Sequence, residues 1–365
     1  MGRGEAPSPP GHPALAYPPI SDKLPRGMSD FFAGPVFQVD HETFSWRDVV
    51  LFTHRTGRWE EVVGAIEAGL TAMRQRAQEE DEALEERVDA AAAEFRYERE
   101  LITAEETESW LREHGVTAAE WLASVRRGVL REHFADGLAQ GHGAASREEI
   151  ERAVRVDLCC TELGRRLAES CAGYAAAAAA VGRLAPGGES DIPDPLPPCV
   201  DAAHARARLP LLDQMLQGVE QFRQAGITDE AIRREIQNHR MEWVRLECRT
   251  LAFPDLPQAR EAALCLREDG LDIDEVAENA HLQAEEVRFY VDDLDPGLQA
   301  SFVSAKPGDV IGPSAMNESH TLFQVLSKTM PGEQDPEIRD RAAERLFARA
   351  LVNEAQRRVH WRMAF

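Results

Sequence analysis

The sequence predicts an α+β protein that is helical over most of its length, followed by a small α+β segment and a returning C-terminal helix. Two observations carry this expectation. Apolar residues recur at helical spacing behind N-capping residues from residue 45 to about 243, whereas short strand-like runs gather between 245 and 330. Aromatic residues are only 7% of the 365, so Ala, Leu and Val must fill most of the core.

Each element has its own signal. Residues 1–34 are proline-rich without a hydrophobic period, the composition of a mobile, partly polyproline-II tail. Val36-Phe37-Gln38-Val39 alternates as a strand, and Ser45 with Asp48 forms a capping box that opens a helix. The stretch 58–100 is helical and acidic, and Gln78 to Glu108 holds thirteen Asp/Glu against three Arg. A solvated helix face accounts for such a run; an acidic surface for a basic partner is the alternative. Thr103 with Glu106 and Thr117 with Glu120 repeat the box, and Gly115 between them suits a helix C-terminus. Trp110, Leu111, Trp121, Leu122 and Val125 are candidate core anchors of these short helices.

Further along, one long Ala-rich helix is expected over 147–184, a Pro/Gly linker over 185–200, and two helices over 201–225 and 228–243. The pattern then changes to strand 246–253, helices 258–269 and 273–280, strand 287–291, helix 296–304, a turn into a strand at 306–313, and a last apolar strand at 321–327. A closing helix over 336–361 carries the stripe Ile338, Ala342, Leu346, Phe347, Ala350, Leu351, Ala355 and Val359. That stripe needs a partner surface, either its own helical domain or a second chain that exchanges helices with it. The expected organisation is therefore a tail 1–34, a helical domain 35–184, a linker 185–200, further helices 201–244 of the same domain, an α+β domain 245–330 and a C-terminal helix 331–365 that packs on the helical domain.

Charge and composition exclude several functions. With 41 Lys+Arg against 64 Asp+Glu the formal charge is −23, the wrong sign for gripping phosphate backbones, so no nucleic-acid partner is expected. No run approaches the length of a membrane span, and the N-terminus lacks the apolar region of a secretory signal. It opens like a myristoylation site, but Ala6 stands where Ser or Thr is required. Six cysteines are scattered without a CxxC pair, which fits reduced thiols and a cytoplasmic protein. There is no phosphate loop, GxGxxG or GxSxG, and no cofactor or metal is expected.

The segment 245–330 resembles the parvulin family of peptidyl-prolyl isomerases. The resemblance rests on Asp295-Pro296-Gly297-Leu298-Gln299-Ala300-Ser301-Phe302 and Lys306-Pro307-Gly308-Asp309-Val310-Ile311-Gly312-Pro313, similar to the family's "P-x-F-x-x-A-x-F … K-P-G-x-V-S-G-P", with Leu322-Phe323-Gln324-Val325-Leu326 in the place of its last strand. A short strand, a helical bundle, this domain and a returning helix together look like the SurA/PrsA/PpiC class of foldases, over roughly 35–365. Where parvulins carry histidines on the first strand and ahead of the last, this chain has Arg249 and Thr321, with His320 one residue out of step and so on the other face of a strand unless a bulge intervenes. Leu294 and Leu298 take the family's apolar pocket positions.

The resemblance implies a polypeptide or precursor-peptide substrate, bound at an apolar pocket of Leu294, Leu298, Phe302 and Phe323, and a place beside peptide-modifying enzymes, as in the cytosolic SurA-like branch of ribosomal-peptide maturation systems. It implies a chaperone-like binding protein first. An active prolyl isomerase is the alternative, requiring His320 to turn in beside Leu298 or Arg249 and Thr321 to act as the pair. The third reading is a peptide-modifying enzyme that reuses the scaffold, with His320, Cys248 or the Cys159 region as its reactive groups. Arg249 has two available roles, holding a substrate carboxylate or carbonyl, or pairing with Glu247 or Asp292. Cys159, Cys160 and Cys171 read as small apolar residues of a helix seam, and His133 and His142 as residues of a glycine-containing loop.

Overall fold

A computed structural model describes residues 31–76, 82–134, 145–182, 184, 188, 190–316 and 319–363. The tail as far as residue 30, His142 and the side chain of His133 lie outside the described residues. The chain divides into two compact units, 1–223 with 350–365, and 224–349. It is mostly helical with small antiparallel sheets, an α+β fold as expected.

The first unit opens with β1 (Pro35–Val39) and β2 (Glu42–Ser45), a hairpin that leads straight into α1 (Trp46–Arg55). The capping box is formed: Ser45 Oγ accepts from the Asp48 N–H, and the Asp48 carboxylate accepts from the Ser45 N–H at 2.7 Å. There follow α2 (Trp59–Gln75), α3 (Glu82–Glu98), α4 (Ala104–Glu113), α5 (Ala118–Phe134), α6 (Arg147–Cys160), α7 (Glu162–Val181) and α8 (Ala202–Gly226), the last residues of which fall in the second unit. The boxes of Thr103 with Glu106 and Thr117 with Glu120 are also made. Leu111 and Trp121 are buried with Phe95, Cys159 and Cys160 in one cluster, against which Trp110 and Val125 pack.

The single helix expected over 147–184 is two helices. Thr161 is extended (φ −126°, ψ 165°), and its hydroxyl caps the Leu163 N–H while donating to the Asp157 carbonyl. Gly164 makes the break possible, because a Cβ there would lie 1.9 Å from the Leu158 carbonyl oxygen. A threonine inside an Ala-rich helical period competes for backbone hydrogen bonds, and here it wins. Most alanines of α7 are buried, Ala168, Ala172, Ala175, Ala176 and Ala177 completely, so the run serves close helix packing. The described part of the Pro/Gly stretch joins α7 to α8 inside this unit, held by Arg47 donating to the Cys199 carbonyl and Arg147 to that of Pro198.

The second unit begins with α9 (Asp229–Asn238), which composition groups with the helices before it. Its Ile236 is buried with Trp243, Tyr290, Ile338 and Ala342 of the same unit. Next come β3 (Arg245–Phe253), α10 (Leu256–Arg267), α11 (Ile273–Ala280), β4 (Glu285–Tyr290), α12 (Pro296–Ser304), β5 (Val310–Met316) and β6 (Ser319–Thr329), in the expected order. Their sheet is antiparallel with strand order β4-β3-β6-β5. The closing helix α13 (Pro336–Arg358) starts in this unit, with Ile338 and Ala342 filling its core, and ends in the first. The helix stops three residues early: β7 (Val359–Trp361) pairs with β1, making the three-stranded sheet β2-β1-β7. Val359 and Trp361 satisfy strand alternation as well as helical spacing, and the open edge of β1 decides between them.

Candidate functional site

Alternation along β3 sorts the site residues between the two faces of the second unit's sheet. Leu251 and Phe253 pack with Ala259, Ala262, Ala263, Ile273 and Val276 of α10 and α11, whereas Leu246 and Cys248 pack with Phe302 of α12. Arg249 belongs to the first set, and its guanidinium donates to Asp274 of α11 at 2.6 Å. That carboxylate holds the Arg249 guanidinium above its ordinary value. Its partner is thus neither Glu247, which accepts from Ser327, nor Asp292, which accepts from Trp243 and Arg341.

The register of β6 places the remaining residues. Thr321 pairs with Ala252, Phe323 with Thr250 and Val325 with Cys248, all on the α12 face. His320 pairs with Phe253 and so lies on the α10/α11 face with Arg249. The bulge that would bring His320 beside Leu298 is absent from the β3–β6 register there; the irregularity in that pairing falls between Glu247 and Cys248. Neither arrangement required for an isomerase pair is therefore present: His320 faces away from Leu298, and Arg249 and Thr321 are separated by the sheet.

On the α12 face Thr321 belongs to a row of hydroxyls whose other members, Thr250 and Ser314, sequence reading missed. Thr250 and Thr321 are buried diagonal neighbours, and Ser314 of β5 pairs with Thr321. Only the register reveals this hydroxyl row, although Thr250 follows Leu246 and Cys248 at strand period. Phe302 and Phe323, expected to meet a ligand, are closed into the core: Phe302 has no exposed surface and meets Phe289 and Phe323 edge to face, at 5.4 and 5.2 Å between ring centroids. The half-buried part of the patch consists of Val287, Phe289, Leu294, Leu298, Val303 and Ile311.

Two cations brace the sheet, Lys328 on the α12 side and Arg267 from α10. Lys328 donates to the Val303 and Ala305 carbonyls at the C-terminal end of α12, where a positive charge suits the helix dipole. Arg267 of α10 donates to the carbonyls of Val310 and Gly312, at 3.0 and 2.6 Å, fixing the β5 bulge beside Thr321. Gly312 has φ +106°, and a Cβ there would stand 2.6 Å from the Thr321 carbonyl oxygen.

Chemically, the centre of the face is closed: Phe302 and Cys248 are fully buried, burial pushes the Cys248 thiol up to about 12, and the Thr250 hydroxyl donates to the Glu285 carbonyl. Hydroxyls donate and accept hydrogen bonds without changing charge, so Thr321 and Ser314 at the β5 side of this face suit holding a backbone amide more than transferring a proton. Cys159, Cys160 and Cys171 are buried in the first unit, their thiols raised by desolvation. Among the described residues no group of three or more His, Cys, Asp or Glu is placed to hold a metal ion. No helix of the described residues is long and apolar enough to cross a membrane. No protein-family model matches the chain, and no curated protein matches it.

Proposed function

We propose that this is a cytosolic, peptide-binding, chaperone-like protein that assists maturation of a ribosomally made peptide and binds without catalysing proline isomerisation. The observation that supports the reading is the α12 face, where half-buried Phe289, Leu294 and Leu298 pack around the Phe302 cluster on the same side of the sheet as Thr250, Thr321 and Ser314. Apolar surface supplies affinity for a side chain, and hydroxyls satisfy the backbone that comes with it. The likeness of segment 245–330 to parvulins gives the ligand class, a polypeptide. The third reading, a peptide-modifying enzyme, has less support, since His320, Cys248 and Cys159 lie on different faces or in different units.

NMR exchange spectroscopy on a short Ala-Pro-Phe peptide tests the proposal. Free Xaa-Pro bonds interconvert over tens of seconds or longer, so catalysis on a subsecond scale is unmistakable. The expected result is shifted or broadened peptide resonances with unchanged exchange. Accelerated exchange would establish the isomerase instead, and a peptide spectrum unaffected at millimolar protein would overturn peptide binding.

A further inference from the structure

The two edges of the second unit's sheet differ. At β5 the carbonyls of Val310 and Gly312 are taken by Arg267, and Pro313 has no N–H. At β4 the edge is regular. Val291 N–H bonds the Val244 carbonyl, so with the antiparallel register Val287 and Phe289 bond inward to β3, while Glu286, Arg288 and Tyr290 turn their backbone groups outward. The Tyr290 N–H is already taken by Asp293. Glu286 and Arg288 are exposed, and their outward N–H and C=O groups have no partner among the described residues.

Charges normally protect such an edge. Here their order makes the strand complementary to itself. In an antiparallel pairing about a twofold axis at Val287, Glu286 of each copy stands opposite Arg288 of the other, and those residues are the ones whose N–H and C=O groups are free. The same axis brings Val287 against its own equivalent on the apolar face. Shifting the register by two residues puts Glu286 opposite Glu286 or Arg288 opposite Arg288, which like charge disfavours.

We propose that β4 is a homodimerisation edge, through which two copies join their sheets in the Val287-centred register. The pairing would also make one continuous surface of the two half-buried Val287–Phe289 patches.

Sedimentation velocity from micromolar to a few hundred micromolar protein tests this, with circular dichroism as a check on folding. The wild type is expected to self-associate, more weakly at high salt. E286R and R288E each place like charges in register, and each should weaken the dimer about tenfold or more. The double variant E286R/R288E should restore it, a rescue that no fold defect would produce. R288P removes an outward N–H without touching the β3 ladder and should also give monomer. A wild type that stays monomeric over the whole range, single swaps that leave association unchanged, or a double swap without rescue would each overturn the proposal.

Discussion

Arg249 and Thr321 occupy opposite faces of one four-stranded sheet: Arg249 is bound to Asp274 on the α11 side, and Thr321 stands in line with Phe323 on the α12 side. Two residues that sequence comparison groups into one site are thus divided by a sheet, and the residue that does share the face with Thr321 is Thr250.

Leu298→Asp places a charge in the half-buried border of the α12 face. Peptide affinity should fall by about tenfold while circular dichroism is unchanged, because Leu298 borders the Phe302 cluster without forming its centre. Arg249→Ala, on the opposite face, should leave peptide affinity as it is. Equal effects of the two would remove the α12 face as the site.

Gly312 and Arg267 act on the same bulge. Arg267→Ala removes exposed hydrogen bonds to two carbonyls and should cost about 1 kcal/mol. Gly312→Ala should cost about 2–3 kcal/mol, since it combines the strain of a positive φ with a Cβ driven into the Thr321 carbonyl. Urea unfolding ranks the two, and amide exchange in β5 should rise in both.

In the first unit, Asp157 accepts from Arg127 at 2.6 Å and from Ser124 at 2.9 Å, and all three are buried. Asp157→Ala leaves the Arg127 charge buried without its carboxylate and should destabilise by about 3–5 kcal/mol. Replacing Arg127 and Asp157 together by apolar residues should cost less than Asp157→Ala alone, which a double-mutant cycle in urea would show.

Asp48, 2% exposed, ties the start of α1 to α8 through His204 and Arg208. Burial pushes its carboxyl up, but His204, Arg208 and Ser45 outweigh this and its net shift is downward. A folded-state value below the unfolded one means that the stabilisation is complete above the ordinary carboxylate value of about 3.9 and is lost as pH falls through the lowered value. Asp48→Asn should therefore lower stability at pH 7 and flatten its decline below pH 4. An acid-unfolding profile unchanged by the substitution would contradict this.

Of the six cysteines, only Cys265 is half-exposed; the other five are buried. A thiol reagent should modify Cys265 in the native protein and all six after denaturation. Rapid native labelling of Cys159 or Cys160 would show that the Phe95–Trp121 cluster opens.

The sequence alone determined the fold class and most element positions. Capping boxes at Ser45, Thr103 and Thr117 depend on residues three apart, and α12 and α11 are delimited by Asp295-Pro296 and Asp272, signals that act within one turn. The likeness to parvulins, rather than any local signal, pointed to Leu294 and Leu298 as apolar positions. Tertiary structure decided what those signals leave open. Thr161 and Gly164 break a helix that Ala-rich periodicity would continue, because the Leu158 carbonyl requires the space. Val359 to Trp361 became a strand because β1 had an edge to pair. The face on which each site residue stands was fixed by strand register: a shift of one residue turns a side chain to the other side, and register is set by the packing of Leu251 against α10 and of Cys248 beside α12, contacts between residues far apart in the chain.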